Sequence, residues 1–226
     1  MVDWESRILF IDGEAIVLDK PAGLAVTPGM RTRASLEDHL DSLRFGFMRA
    51  PLPVHRLDRD TSGCLLLARN PKAHKAFQRA FEARRVEKVY AAILTGVPEE
   101  SEGQIDLALA KTSTAETGWR MVPDPAGKAA VTGWRVAAVR DGRALVLFVP
   151  ETGRTHQVRV HAAAGIGFGI AGDPVYGDGV GPMLLHGLSL RVQRERKPAI
   201  EAAAPLPASF VDAGFTATDL DAADAV

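Results

Sequence analysis

Cysteine occurs once in the 226 residues, at Cys64. A lone thiol excludes a disulfide within the chain and any cysteine-based zinc site, and a reducing, cytoplasmic setting is expected. Long apolar runs are also missing. Stretches such as Ala144–Pro150 fall far short of the roughly 20 residues that a bilayer-crossing helix needs, so no membrane association is expected. The opening MVDWESRILF has no basic segment followed by a long apolar one, so no signal peptide is expected. Internal repeats are absent, and the one biased segment is the Ala/Asp-rich end. At 46% hydrophobic and 24% charged residues, the composition is that of a globular chain and excludes a disordered or collagen-like one.

Net charge is small, −1, but its distribution is uneven. Residues 199–226 carry Glu201, Asp212, Asp219, Asp221 and Asp224 and no lysine or arginine. Without that end, residues 1–198 hold 27 basic against 23 acidic side chains, a net +4. Between Arg69 and Lys88 lie seven basic residues (Arg69, Lys72, Lys75, Arg79, Arg84, Arg85, Lys88) against Glu82 and Glu87. A mildly basic body with an acidic tail is compatible with a nucleic-acid partner; a solvated helix face explains the basic run equally well.

Local patterns divide the chain into alternating elements. Arg7–Ile11 and Ala15–Asp19 flank Asp12-Gly13, a hairpin signal, as Ala130–Ala138 and Ala144–Val149 flank Asp141-Gly142. Ser35 with Asp38 opens an amphipathic helix to about Phe45 by capping-box logic. Cys64–Ala68 reads as a buried strand. Asn70-Pro71 starts a helix to about Arg84, with Ala76, Phe77, Ala80 and Phe81 inward and Lys72, Lys75 and Arg79 outward. Val86–Thr95 alternates as a strand, Thr155–Ala164 reads as a helix capped by Thr155, and Leu184–Val192 is a last strand. The pattern predicts an α+β fold with a mixed, largely antiparallel sheet and flanking helices. One catalytic domain over residues 1–210 is expected, with two lobes around a cleft, followed by a loosely attached acidic tail at 211–226.

Three stretches can carry chemistry. The first, His55-Arg56-Leu57-Asp58-Arg59-Asp60-Thr61-Ser62-Gly63, puts a polar turn at the mouth of the buried strand, where a rigid scaffold could present a reactive group. Its last four residues could equally be an Asx turn that starts the strand. In the second, Gly153–His161, Thr155 and Arg159 share a helix face by i, i+4 spacing. A buried arginine there must find an anion; an exposed one is only part of an amphipathic helix. In the third, Lys88 and Tyr90 point to one face of a strand, which suits an anion or a stacked base, or is an ordinary sheet edge. Gly167-Phe168-Gly169-Ile170-Ala171-Gly172 fits a dinucleotide fingerprint in letters only, because it follows a predicted helix instead of a strand. His156 and His161 are five apart, the wrong spacing for two metal ligands on one helix face, so no metal is expected.

Taken together, these stretches resemble the RluA-type family of RNA pseudouridine synthases. Residues 55–63 match the family's HRLDxxTSG signature in full, Lys88-Val89-Tyr90 its K-x-Y strand, and Gly153–His161 its GRxHQ(I/L/V)R segment. Asp19-Lys20-Pro21-Ala22-Gly23-Leu24 resembles its (N/D)KPxGL block and Gly172-Asp173-Pro174-Val175-Tyr176-Gly177 its GDxxYG loop. Leu185-His186 and Ala204-Pro205-Leu206-Pro207 look like its closing blocks. The resemblance implies isomerisation of uridine in tRNA or rRNA to pseudouridine, without metal or organic cofactor, on a base flipped out of the RNA stack. It implies Asp58 as the essential carboxylate, acting as a nucleophile or as a base on the ribose. It implies Arg159 as the partner that keeps Asp58 ionised, and Tyr90 as the ring stacked on the target base and the acceptor of its C5 proton. Arg56 would fill the gap left in the RNA, and His55, Lys88 and Arg154 would contact substrate. The basic run would supply phosphate contacts.

Departures are few. The family's His-Pro pair before GDxxYG is replaced by Gly167-Phe168-Gly169, and Gly187 stands where alanine is usual. The match starts within the first ten residues, so no N-terminal S4 domain is expected, and a stand-alone monomer is. Two other functions remain compatible with the residues: an RNA-binding protein or chaperone on the same fold, and a glycoside hydrolase using Asp58 and Asp60 as its acid pair.

Overall fold

The structure is a computed structural model and describes residues 3–29, 34–116, 118–195 and 197–221. In chain order its strands and helices are β1 (Ile8–Ile11), β2 (Ala15–Lys20), a 3-10 helix (Leu36–Leu43), β3 (Leu52–Pro53), β4 (Ser62–Ala68), α1 (Pro71–Glu82) and β5 (Val86–Leu94). They continue with β6 (Glu102–Asp106), β7 (Leu109–Thr114), β8 (Gly118–Pro123), β9 (Val131–Arg140), β10 (Arg143–Pro150) and α2 (Gln157–Val160), which runs into a π-helical stretch (His161–Ile166). Last come β11 (Leu185–Val192), β12 (Ile200–Ala203), α3 (Ala208–Asp212) and α4 (Thr218–Asp221). The fold is α+β with a largely antiparallel sheet, as expected. It divides into two compact units, Met1–Lys88 with Gly187–Pro205, and Val89–His186 with Leu206–Val226. The chain changes unit inside β5 and again inside β11.

In the first unit the strand order is β1-β2-β4-β11, with β3 added to β4 and β12 to β11. The Asp12-Gly13 hairpin forms because the Asp12 carboxylate accepts from Glu14 and Ala15 N–H at 2.8 and 2.9 Å. Arg194 then pins the same carboxylate at 2.6 Å. β4 is buried along its whole length, which accounts for its unbroken Leu65-Leu66-Leu67 run. Helix α1 starts where expected: the Asn70 side chain accepts from Ala73 N–H at 2.9 Å and Pro71 occupies the first turn. Its buried stripe is Ala73, Phe77 and Ala80: Phe77 and Ala80 face inward as expected, Ala73 joins them, Phe81 is half-buried and Ala76 is exposed. The stripe packs on Ala15, Val17, Leu66 and Ala68 of β2 and β4. The Ser35 helix is 3-10, with Asp38 accepting from Ser35 N–H at 2.8 Å.

In the second unit β5 pairs with β10, β10 with β9 and β9 with β6, all antiparallel. Asp141 and Gly142, at φ 48° and 73°, make the tight β9–β10 turn. One sheet face, with Ala92, Val146 and Phe148, is covered by Val158 and Ala162. β7 and β8 form a separate two-stranded hairpin whose Leu109 and Met121 pack on Val160.

Two expectations fail here. Thr155 does not cap the helix. His156 sits in the left-handed region at φ 54°, and α2 starts at Gln157. The buried Gln157 side chain closes that start: Oε1 accepts from Thr152 Oγ1 at 2.7 Å and from Arg154 N–H at 2.9 Å, and Nε2 donates to Val131 O and Thr132 Oγ1 at 3.0 and 2.9 Å. Thr155 therefore lies outside the helix face expected to hold it with Arg159. The acidic end is not loose as far as Asp221. Phe210 and Phe215 are buried, Asp219 pairs with Arg140, and Arg140 lies 5.8 Å from the Phe215 ring. Apolar anchoring by two phenylalanines outweighs the acidic composition. Residues 222–226 lie outside the described residues.

Candidate active site

The first unit carries His55, Arg56, Asp58 and Lys88. Between β3 and β4 the chain turns at Asp58, whose carbonyl accepts from Thr61 N–H at 3.2 Å. The turn delivers Asp58 half-buried just before a fully buried strand, with Arg56 and Arg59 exposed. Gly63 makes the start of β4 possible. Its φ is +103°, and a Cβ there would lie 2.2 Å from the Gly187 carbonyl oxygen, so the two backbones approach more closely than any side chain permits.

The turn is held from below by Lys20, which sequence reasoning quoted in a motif but gave no role. Lys20 is fully buried, and its Nζ donates to the carbonyls of Pro21, Leu24 and Arg59 at 2.8, 2.7 and 3.1 Å. All three protons of the ammonium are thus used, and one of them fixes the residue after Asp58. Burial lowers the Lys20 pKa to about 8, against the opposing pull of Asp60, Asp58 and Asp19. The signal that could have found it is a lone lysine at the end of a strand as apolar as Ala15–Leu18.

His55 is a support of the turn. Its Nε2 accepts from Leu66 N–H at 3.0 Å, and its ring stacks on Phe81 with centroids 4.9 Å apart. Burial, helped by the charge of Lys88, pushes its pKa to about 3, so the ring is neutral at pH 7 and keeps the lone pair that Leu66 requires. Lys88 lies 5.9 Å from the same Phe81 ring, and burial lowers its pKa to about 8. Phe81 therefore gathers His55 and Lys88 on one side of α1.

The second unit carries Tyr90, Arg154 and Arg159. Tyr90 stands opposite Phe148 on β10 and packs on the cluster that includes Val158. Arg159 is buried on α2, and its anion is Asp173, not foreseen from the sequence. Nε and Nη2 donate to the two Asp173 carboxylate oxygens at 2.6 and 2.7 Å. Asp173 is fully buried, and Oδ1 also accepts from Val175 and Tyr176 N–H at 2.8 and 3.2 Å. Burial alone would raise its pKa; the Arg159 hydrogen bonds and charge and the two backbone donors outweigh it and hold the carboxyl below its usual value. The Arg159 guanidinium also lies 5.2 Å from the Tyr176 ring centroid. Tyr176 Oη accepts from Met121 N–H at 2.8 Å and meets His156 Nδ1 at 2.9 Å. The GDxxYG loop is thus the cradle of Arg159. Arg154 is exposed, with Nε donating to Ala129 O at 3.1 Å. His161 is internal: Nε2 donates to Leu107 O at 3.1 Å, and Nδ1 meets Thr132 Oγ1 at 2.9 Å. Among the described residues no group of three or more His, Cys, Asp or Glu could hold a metal ion, and no helix is long and apolar enough to cross a membrane.

A family model described as RNA pseudouridylate synthase matches residues 14–164, which include Asp58, Tyr90 and Arg159. The chain is 57% identical over 213 residues to an uncharacterized RNA pseudouridine synthase of Zymomonas mobilis, covering 92% of this chain and 97% of that one. It is 37% identical over 178 residues to ribosomal large subunit pseudouridine synthase D of the same organism, covering 76% of this chain but 56% of that one. Among solved structures it matches human RNA Pseudouridylate Synthase Domain Containing 4 with a TM-score of 0.78 at 27% identity, covering 92% of this chain and 91% of that chain. Human RNA Pseudouridylate Synthase Domain Containing 1 matches with a TM-score of 0.72 at 30% identity, covering 88% and 82%.

Proposed function

The chain belongs to the RNA pseudouridylate synthase family, isomerases that convert uridine in RNA to pseudouridine, and from that premise we propose that Asp58 is its catalytic carboxylate. Tyr90 and Arg159 act with it on an everted uridine of ribosomal or transfer RNA. The reaction breaks the bond from N1 of uracil to C1′ and makes one from C5 to C1′. The C5 proton leaves and N1 gains one, so nothing is oxidised and no co-reactant is consumed. What the protein must supply is a carboxylate, a surface for the detached base, and an acceptor for the C5 proton. Asp58 supplies the first, either by attack or by taking a ribose proton, and the Tyr90 ring and hydroxyl supply the others.

The observation that carries this reading is the rigidity given to the Asp58 turn by Lys20, Gly63 and His55. A catalytic group held by packing and hydrogen bonds costs little reorganisation at the moment of reaction. Arg159 is rigid for a comparable reason: Asp173 takes two of its five N–H donors. His55 holds the turn, while Arg56, Lys88 and Arg154 contact RNA. Ribosomal RNA is the first target to test, because a relative named for a large-subunit modification covers 76% of the chain.

The test uses RNA from cells lacking this gene, incubated with wild type or Asp58→Ala, and pseudouridine mapped by carbodiimide-dependent primer-extension stops. Wild type creates defined stops, and Asp58→Ala binds the same RNA but creates none. If both proteins leave all uridines unmodified while binding equally, the chain is an RNA binder and the catalytic reading is wrong.

A further inference from the structure

We propose that Trp119 and Lys111, on the β7–β8 hairpin, form a stacking site for an unpaired RNA base close to the target uridine. In the hairpin register Lys111 faces Met121 and Ser113 faces Trp119, so Leu109, Lys111, Ser113, Trp119 and Met121 share one face. The proximal part of that face is core: Leu109 and Met121 are 1% and 9% exposed. The distal part is not, and Trp119 leaves 42% of its surface to solvent. The indole thus stands at the solvent end of a face of which Leu109 and Met121 are the packed part, and Lys111 and Ser113 beside it are exposed.

The indole is held in place. Its ring meets the His156 ring nearly at right angles, 83°, with centroids 4.9 Å apart, and His156 is tied to Tyr176 Oη at 2.9 Å. Tyr176 in turn lies under the guanidinium of Arg159. One chain of contacts therefore joins the exposed indole to the arginine placed at the reacting nucleotide, and the inference rests on that placement. The surrounding charge suits a polyanion. Lys111 Nζ lies 5.6 Å from the indole centroid, and exposed Arg154 is two residues from His156. Glu116, in the turn, is the single acidic residue between Leu109 and Pro123. A rigid aromatic with flanking cations is what sequence-tolerant binding of single-stranded RNA requires: the π-face accepts any base and the cations take the phosphates.

The test compares wild type, Trp119→Phe, Trp119→Ala, Lys111→Ala and Asp58→Ala, with affinity read by anisotropy of a fluorescein-labelled, single-stranded RNA 12-mer containing uridine. Trp119→Ala weakens binding roughly 5- to 100-fold and Trp119→Phe much less, because a phenyl ring still stacks. Lys111→Ala, an exposed change that leaves the fold intact, weakens binding several-fold and lowers the salt slope by about one ion. RNA quenches tryptophan emission of wild type, and the quench is lost in Trp119→Phe. On cellular RNA, Trp119→Ala raises KM more than it lowers kcat. Unchanged affinity in Trp119→Ala and Lys111→Ala overturns the site. So does a loss of kcat with normal affinity, which makes Trp119 a mere prop for Arg159. Asp58→Ala binds the 12-mer like wild type and makes no pseudouridine, so a failure of the catalytic reading shows in the modification assay alone.

Discussion

Removing the Asp173 carboxylate takes from the buried Arg159 guanidinium the anion that grips it twice. Asp173 is fully buried and engages Arg159 twice, at 2.6 and 2.7 Å, while also accepting from two backbone N–H groups. In Asp173→Ala the Arg159 charge loses that anion and Val175 and Tyr176 lose that acceptor. Breaking a buried pair from one side costs about 3–5 kcal/mol. For a chain of this length each kcal/mol lowers the melting temperature by about 2–4 °C, so Tm falls by about 6–20 °C. The measurement is a far-UV circular dichroism melt at pH 7, with pseudouridine formation measured in parallel below the transition. Replacing both partners, Arg159→Met with Asp173→Leu, recovers the part of the lost Tm that comes from the buried charge, because buried apolar pairs substitute well for buried ion pairs, but not the part that comes from Val175 and Tyr176 N–H. It does not recover activity, because Arg159 is still missing. The acid side gives a second readout. The folded carboxyl titrates below its usual value, so its stabilisation is complete above about pH 4 and is lost as pH falls through the lower folded value. Asp173→Ala lacks that acid-dependent loss. A Tm within about 2 °C of wild type for Asp173→Ala refutes the reasoning.

Three further outcomes are expected. Lys88 is charged below its lowered pKa of about 8 and neutral above it. RNA affinity measured by filter binding therefore drops between about pH 7 and 9 in wild type and stays level in Lys88→Arg, which keeps its charge throughout; a level wild-type profile excludes Lys88 as a phosphate contact. Gly63→Ala combines backbone strain of about 1–3 kcal/mol with overpacking of about 1–3 kcal/mol against Gly187, and a urea midpoint equal to wild type would contradict the close approach. His55 stays neutral with a pKa of about 3, so its ring resonances do not titrate between about pH 5 and 8, and His55→Ala loses about 1–3 kcal/mol by leaving Leu66 N–H without its acceptor. Titration of that ring near its ordinary value would show that Leu66 does not hold it.

Much of the fold was legible wherever a local signal decides local structure. Asp12-Gly13 and Asp141-Gly142 make the expected hairpins, Asn70-Pro71 starts α1, and Cys64–Ala68 lies within a fully buried strand. The errors came where a distant group changed the outcome. The start of α2 depends on Gln157 reaching Val131 and Thr132, 26 and 25 residues away, which no capping rule detects. The acidic end folds because Phe210 and Phe215 find a core, not because of its own composition.

The letters alone determined the class of fold, its turns and helix starts, and a set of motifs close enough to one family to suggest the chemistry. These are properties of neighbouring residues, set by backbone geometry and by hydrogen bonds that must be satisfied within a few positions. Only the tertiary structure decided that Asp173 holds Arg159, that Lys20 carries the turn of Asp58, and that an indole of a β-hairpin is joined through His156 and Tyr176 to Arg159. A buried charge accepts whichever partner the folded interior brings to it, and that choice depends on three-dimensional packing that sequence spacing does not encode.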